Sequence, residues 1–413
     1  MALTLEKIAR RMTDEFKKDC CVNLGIGNRM SAVEHVLNVP SSMSDVEALV
    51  QVAVRNRIGH LTLNRPNGLN ALSLLLQQLY AWEQDPYILA VVLRATGENA
   101  FCGGDIHMRY DRHQLGGKRH EIFLAEEYSL CEYIQAYPKP VLALMDGFVL
   151  GGYMGLVQGA SLRVITGQVK IGMPEVGIGF FQSVGGSYFL PRLPGELGIY
   201  LGITGLQVRA ADALYARLAD WCLPREQVAE LDRCLDQMSW TAHPQEALRA
   251  VLATLCSNKL LGSELKALRP VIDAYFALPD LPSIRTALLG ENRPEFQDWA
   301  EETVKVLDSR SPLSKAVTLE LLRCGRKLSL ADCFAQELHL GYQWRDKGYF
   351  MEGVHASIID RNEAPGSNPP TLEGRDPTQA QAIFAGVKSA AEKIRRTVRT
   401  PQNKRDAQCT NSN

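Results

Sequence analysis

Two glycine pairs follow apolar stretches of the chain, in positions where backbone amides could bind a ligand. The first is Gly103-Gly104 in FCGGDI, and the second is Gly151-Gly152 in GFVLGGYMG. Glycine has no side chain, so a ligand can approach the backbone closely at these turns. If the amides of Gly103 and Gly152 converge, they form an oxyanion hole suited to a thioester oxygen, in which one donor contributes about 3–4 kcal/mol to barrier lowering. Glycine pairs also form ordinary tight turns, so this pattern alone does not decide the chemistry.

The first half of the chain must supply the elements that position these turns. Its apolar patterning alternates between short strands and helices. The predicted elements are a hairpin at 50–64 turning near Gly59, a helix at 71–83, a strand at 90–93, a helix at 118–137, the strand VLALM, and strands at 162–165 and 169–171. This order predicts an α/β fold built from repeated ββα units.

The pattern becomes helical after about residue 224. The predicted helices of this region lie at 226–238, 244–256, 295–308 and 314–323. The predicted organisation is an N-terminal extension and linker at 1–49, an α/β domain at 50–223, a helical region at 224–362, and a polar, partly disordered tail at 363–413.

The composition is that of an ordinary globular protein. Of 413 residues, 46% are hydrophobic, and 45 basic residues are balanced by 46 acidic ones. This balance argues against a nucleic-acid partner, which would normally require a basic face. The ten cysteines include no C-x-x-C pair, so neither a zinc site nor a disulfide framework is predicted. Unpaired cysteines suit a reducing compartment.

The same sequence argues against membrane insertion and against a targeting peptide. The most apolar stretch, residues 141–157, is interrupted by Asp146 and several glycines. Residues 4–18 could form an amphipathic helix, but Glu6, Asp14 and Glu15 are atypical of a transit peptide. We therefore predict a cytoplasmic protein without a membrane partner.

Four motifs between about residues 52 and 223 resemble the crotonase superfamily. They are LTLNRPNGLNAL, FCGGDI, PKPVLALMDGFVLGG and KIGMPEVGIGFF. Within that group, MPEVGIG, VGGSYFLPRLPGELGIYLGITG and EGVHASIIDRNEAP look like the 3-hydroxyisobutyryl-CoA hydrolases. The resemblance implies a crotonase (ClpP-like) spiral of ββα units with a C-terminal all-helical region, binding an acyl-CoA thioester.

The resemblance also implies roles for individual residues. Glu175 of MPEVG becomes the catalyst, which either attacks the thioester carbonyl or activates water against it. Amides at Gly103 and Gly152 would hold the carbonyl oxygen. The implied substrate-binding residues are Glu127, Ser183, Gly104, Asp105 and Ile106. Glu127 is one of four glutamates in the predicted helix 118–137, and most such side chains simply face solvent.

The chain departs from the hydrolase pattern beside the implied site. Gln182-Ser183 stands where the hydrolases have Pro-Asp, so a carboxylate is replaced by a hydroxyl without charge. Tyr153 replaces the third glycine of the second turn and would crowd the pocket, and FCGGDI is one residue shorter than the usual motif. Enoyl-CoA hydratases use a second glutamate at the place of Gly155, so hydration is disfavoured. Residues 3–30 resemble instead the start of a CoA-transferase β subunit.

The reading that unites these observations is hydrolysis of a short branched 3-hydroxyacyl-CoA, as in valine breakdown. It requires no metal and no cofactor apart from the coenzyme A of the substrate, and it is compatible with a homo-oligomer. A second reading is a catalytically impaired crotonase paralogue that binds acyl-CoA or a partner protein. Hydratase or isomerase chemistry is a third and weaker reading.

Overall fold

The computed structural model describes residues 50–64, 71–96, 101–102, 119–346 and Phe384. Its strands are Val50–Arg55 (β1), Ile58–Leu63 (β2), Ala90–Ala95 (β3), Phe101–Cys102 (β4), Val141–Met145 (β5), Phe148–Leu150 (β6), Leu162–Thr166 (β7), Lys170–Gly172 (β8), Gln207–Arg209 (β9) and Trp221–Leu223 (β10). Its α-helices are Ala71–Gln84 (α1), Arg119–Gln135 (α2), Gly152–Gln158 (α3), Gly186–Phe189 (α4), Leu197–Thr204 (α5), Ala210–Tyr215 (α6), Val228–Gln237 (α7), Pro244–Leu255 (α8), Glu264–Phe276 (α9), Leu281–Leu289 (α10), Pro294–Asp308 (α11), Pro312–Gly325 (α12) and Leu330–Asp346 (α13).

The strands form two sheets. The larger sheet has the order β1-β2-β3-β5-β7-β10 and the smaller one β4-β6-β8-β9. Neighbouring strands are parallel except in the pairs β1–β2 and β8–β9. Along the chain, each strand of the larger sheet from β3 to β7 is followed by a strand of the smaller sheet. This recurrence confirms the predicted α/β fold of repeated ββα units.

The hairpin forms as predicted, but its turn is not near Gly59. The two loop residues are Asn56 and Arg57, with φ of 42° and 64°. Two consecutive positive φ values are the geometry that a two-residue hairpin loop requires. Gly59 lies within β2, where a Cβ atom would come within 2.5 Å of the Trp82 ring. Glycine at position 59 therefore allows α1 to pack closely on β2 and takes no part in the turn.

Side-chain alternation gives the larger sheet two buried faces. On one face, Leu61, Leu93 and Ala143 belong to the main hydrophobic cluster. On the other face, Val92 and Leu142 belong to a second cluster, which helices α7 and α8 cover with leucines. The buried strand predicted at 90–93 is thus apolar on both sides because helices cover both of its faces.

Helices α9 to α13 contribute to the same main cluster as the strands. Ile272 of α9, Leu307 of α11, and Leu322 of α12 are buried in the cluster that also contains Leu93. The four helices predicted in this region are confirmed, with ends that differ by one or two residues. Helices α9, α10 and α13 were not predicted. Pro270 stands inside α9 and interrupts its helical signal.

No helix among the described residues is long and apolar enough to span a bilayer. Residues 141–157, the most apolar stretch of the sequence, form β5, β6 and most of α3.

Replacing Gly59 with alanine tests the packing of α1 on β2. The new methyl group would overlap the buried Trp82 ring, so we expect Gly59→Ala to lower the free energy of unfolding by about 1–3 kcal/mol. Gly167→Ala is the matched control: a Cβ there has no neighbour within 4 Å, and we expect a change below about 0.5 kcal/mol. Urea unfolding of both variants makes the comparison, and equal stability would show that the Trp82 contact is wrong.

Candidate active site

Glu175 lies on a 3₁₀ turn that the backbone holds closely. Strand β8 ends at Gly172, and residues Pro174–Ile178 form the turn. Gly179 adopts φ of 72°, and its N–H and that of Phe180 both donate to the Glu175 carbonyl oxygen. The Glu175 side chain is only 7% exposed. A proline start and a glycine end thus fix the direction in which this carboxylate leaves the backbone.

Two buried carboxylates lie against the Gly151-Gly152 turn. A Cβ atom on Gly151 would come within 3.2 Å of the Oε1 atom of Glu175, and a Cβ atom on Gly152 would overlap the Oε1 atom of Glu127. Gly151 has φ of 61°, which also favours glycine. Gly152 is the first residue of α3, so its N–H has no acceptor within that helix. The structure brings together Glu127, Gly152 and Glu175, as the resemblance implied.

Burial distinguishes Glu127 from a solvated helix glutamate. It lies on α2, and its side chain is 6% exposed. The next residue, Tyr128, accepts a hydrogen bond from the Val184 N–H at 3.2 Å. Helix α2 is therefore tied to the loop that precedes α4, and this contact sets where Glu127 lies.

Residues 182–187, here called the 182–187 loop, pack on α3 and comprise the irregular residues 182–185 and the first two residues of α4. Gln182 is fully buried, and its Nε2 atom donates to the carbonyl oxygens of Met173 and Gly202 at 2.9 and 2.8 Å. Ser183 follows and is 7% exposed. Gln182 thus has a structural role, and the contact between Ser183 and an acyl group stays a prediction.

The loop carries backbone strain. Val184 has φ of 52°, which is rare for a β-branched residue and costs about 1–3 kcal/mol. Its carbonyl oxygen lies so close to Gly155 that a Cβ atom there would overlap it. Gly155 is therefore glycine because the loop packs on it. A glutamate at this place, as in the hydratase pattern, would require the loop to move.

Glu337 was missed in the sequence, although it is a buried carboxylate near the site that accepts several hydrogen bonds. It lies on α13, is fully buried, and accepts hydrogen bonds from the N–H of Gly185 and from the N–H and hydroxyl of Ser187. Burial raises the pKa of Glu337 to about 7. The available signal was a carboxylate in an apolar stripe with Cys333, Leu340 and Trp344, at helical spacing.

The second predicted oxyanion donor, Gly103, lies outside the described residues. The same is true of the predicted substrate-binding residues Gly104, Asp105 and Ile106. Strand β4 ends at Cys102, which pairs in parallel with Leu150, the last residue of β6. The two chain segments that precede the glycine pairs therefore end side by side. The predicted extension at 1–49, including the segment 3–30, also lies outside the described residues.

Tyr153, which was expected to crowd the pocket, lies in the hydrophobic core. Its side chain is buried in the main hydrophobic cluster, where its ring packs edge-on against Phe101 at a centroid distance of 6.1 Å. The ring thus packs against the first residue of FCGGDI, in the strand that precedes Gly103. Within the part of the chain that the structure describes, no group of three or more His, Cys, Asp or Glu side chains could hold a metal ion.

Comparisons with known proteins agree with this fold. The family model described as Enoyl-CoA hydratase/isomerase matches residues 58–384. The chain is therefore an enzyme of the enoyl-CoA hydratase/isomerase family, which is the crotonase superfamily that its motifs resemble.

The curated relatives indicate one branch of this family. The chain is 34% identical to the mitochondrial 3-hydroxyisobutyryl-CoA hydrolase of Xenopus tropicalis over 362 residues, covering 85% of this chain and 92% of that one. It is 31% identical to the protein of the same name from Homo sapiens over 355 residues, covering 84% and 90%.

Solved structures show the same architecture. A carnitinyl-CoA dehydratase from Mycobacterium thermoresistibile matches with a TM-score of 0.73 at 32% identity, covering 82% of this chain and 96% of that one. An enoyl-CoA hydratase from Rhodobacter sphaeroides 2.4.1 matches with a TM-score of 0.71 at 31% identity, covering 83% and 98%.

Gly155→Ala tests the packing of the 182–187 loop on α3. The new methyl group would overlap the Val184 carbonyl oxygen, which is backbone and cannot rotate away. We expect a loss of about 1–3 kcal/mol in the free energy of unfolding. Gly341→Ala, within α13, is the control: nothing lies within 4 Å of its Cβ position, and helix propensity predicts a gain of up to about 1 kcal/mol. Equal stability of the two variants in chemical unfolding would contradict the loop placement.

Proposed function

We propose that this chain hydrolyses the thioester of a short branched 3-hydroxyacyl-CoA, with 3-hydroxyisobutyryl-CoA as the substrate. The observation that carries the proposal is the buried carboxylate of Glu175 against the Gly151-Gly152 turn. The names of the curated relatives support the choice of acyl group.

In the proposed reaction, the Gly152 N–H holds the thioester oxygen, and the Gly103 N–H is the proposed second donor. Hydrogen bonds at this oxygen stabilise the negative charge that develops as the carbonyl carbon is attacked. The attacking group is either the Glu175 carboxylate itself or a water molecule whose proton Glu175 accepts. In both routes the C–S bond breaks, coenzyme A leaves as the thiol, and one water molecule is consumed to give the free acid.

Glu127 supports the 3-hydroxyacyl assignment. Its carboxylate lies against Gly152, on the neighbouring residue of the turn that Glu175 contacts. A carboxylate accepts hydrogen bonds and does not donate them when ionised, so it suits the hydroxyl group of the substrate. Ser183 is the proposed second contact, and Gly104, Asp105 and Ile106 are proposed to border the coenzyme A moiety.

The packing of Gly155 favours hydrolysis over hydration. The hydratase pattern requires a second glutamate there, and the Val184 carbonyl oxygen occupies that space. The alternative of an impaired paralogue rests on Ser183, which brings no charge to a position where the hydrolase pattern has aspartate. This alternative predicts binding of acyl-CoA without turnover.

Three further expectations from the sequence stay predictions. They are the absence of a metal or redox cofactor, the absence of nucleic-acid and membrane partners in a chain compatible with a homo-oligomer, and a cytoplasmic location. The curated relatives quoted above are named as mitochondrial proteins, and residues 4–18, on which the location was argued, lie outside the described residues. Localisation of the full-length chain by microscopy tests the last point.

Glu175→Gln tests the catalytic role directly. The amide keeps the shape of the side chain but neither accepts a proton nor attacks a carbonyl, so we expect kcat for 3-hydroxyisobutyryl-CoA to fall about 10²–10⁴-fold. Release of the coenzyme A thiol measures the rate. The matched control is Glu320→Gln on α12, whose side chain is exposed, and its rate should equal that of the wild type.

Other outcomes, in thiol release, in binding of coenzyme A esters or in hydration, contradict the proposal in defined ways. Equal rates for Glu175→Gln and the wild type would remove Glu175 from the mechanism. Binding of coenzyme A esters without thiol release by the wild type would favour the impaired paralogue, and activity restored by Ser183→Asp would locate the defect. Hydration of crotonyl-CoA by the wild type would favour hydratase chemistry.

A further inference from the structure

Helix α13 contacts both backbone segments that carry site residues. Near its C-terminal end, the Nε1 atom of Trp344 donates to the Gly179 carbonyl oxygen at 2.9 Å, directly after the turn of Glu175. Two turns earlier, Glu337 binds the loop that contains Ser183. One face of α13 thus contacts both segments of the site.

We propose that Glu337 is a positioning residue, which holds the 182–187 loop in the conformation that completes the site around Gly152. The proposal goes beyond the catalytic and binding roles assigned above and rests on the proposed function for its kinetic readout. Glu337 acts through the loop and through Tyr128, and no contact with substrate is required of it.

The hydrogen bonds of Glu337 satisfy two amides of one strained segment, those of Gly185 and Ser187. Its Oε2 atom accepts from the Gly185 N–H at 2.8 Å, and its Oε1 atom accepts from the Ser187 N–H at 2.9 Å and from the Ser187 hydroxyl. Tyr128 also hydrogen-bonds to Glu337 while its oxygen accepts from the Val184 N–H. The phenol therefore extends the reach of the carboxylate to a third loop amide.

The conformation that these bonds hold is one the loop would not adopt by itself. Val184 and Gly185 are consecutive residues with φ of 52° and 86°. Such backbone persists where surrounding contacts fix it. A carboxylate suits the position because both of its oxygens accept hydrogen bonds, whereas an amide would direct an NH₂ group at one of the donors.

The loop is connected to the site through three contacts. A Cβ atom on Gly152 would come within 3.8 Å of the Val184 Cγ2 atom, and the Val184 carbonyl oxygen packs against Gly155. Tyr128 is adjacent in sequence to Glu127, whose carboxylate lies against Gly152. Release of the loop would therefore disturb Ser183, Glu127 and the surroundings of the Gly152 amide together. The proposed coenzyme A border at residues 104–106 belongs to a different segment, so binding should change less than turnover.

Glu337→Gln in the full-length chain is the test, with Glu320→Gln on the exposed face of α12 as the control for the same substitution. We expect Glu337→Gln to lower kcat for 3-hydroxyisobutyryl-CoA at least 10-fold and to change KM less than about 3-fold. Hydrogen exchange of the amides at 184–187 should accelerate at least 10-fold, whereas the amides of β5 should keep the wild-type rate. Glu320→Gln should match the wild type in all three measurements.

Tyr128→Phe keeps the test informative if Glu337→Gln does not fold. The ring of Tyr128 packs edge-on against Phe334 at a centroid distance of 5.4 Å, and phenylalanine can keep this packing. Loss of the hydroxyl group alone should accelerate exchange at Val184 and lower kcat, by a smaller factor than Glu337→Gln.

The two readouts separate this proposal from the proposed function. If the wild type releases no thiol from any acyl-CoA, the proposed function is wrong, and hydrogen exchange still tests whether Glu337 holds the loop. If Glu337→Gln leaves kcat and the exchange of residues 184–187 unchanged, the positioning role is wrong. A loss of protection without any loss of turnover would also overturn it.

Discussion

The site depends on the close approach of two carboxylates and one carbonyl group to the backbone at the start of α3. Gly151 and Gly152 admit two carboxylates to the turn, and Gly155 admits the Val184 carbonyl oxygen one turn later. A side chain at Gly151 or Gly152 would crowd a carboxylate that the proposed chemistry uses, and one at Gly155 would displace the loop that carries Ser183. The positions of these three groups around α3 therefore depend on glycine at residues 151, 152 and 155.

The helical region extends this arrangement rather than standing apart from it. The buried side chains of α9 to α13 share the main hydrophobic cluster with the strands, whereas those of α7 and α8 cover the other face of the larger sheet. Glu337 and Trp344 of α13 bind the two segments that carry Ser183 and Glu175. Strain at Val184 can persist because hydrogen bonds from distant parts of the sequence satisfy the loop amides. The geometry near Gly152 thus depends on contacts made more than 100 residues further along the chain.

The fold could be predicted from local patterning and motif resemblance, and the site only in part. Periodicity located the larger sheet except β10, but only β8 of the smaller sheet. It also located the helices α1, α2, α7, α8, α11 and α12. These elements were visible because burial follows the spacing of apolar residues. The burial of Glu127 and the role of Gly155 depend on which segments meet in space, so spacing could not show them. Glu337 was missed because a carboxylate in an apolar stripe is recognised as bound only once its donors are placed. The hairpin turn was assigned to Gly59 because glycine favours turns, whereas Asn56 and Arg57 adopt the positive φ values.

A crystal structure with a non-hydrolysable ketone analogue of 3-hydroxyisobutyryl-CoA tests the central claim most directly. The account predicts the ketone oxygen within about 3 Å of the Gly152 and Gly103 nitrogens, with the Glu175 carboxylate facing the carbonyl carbon. An analogue bound with its carbonyl group away from Gly152, or with Glu175 directed elsewhere, would contradict it.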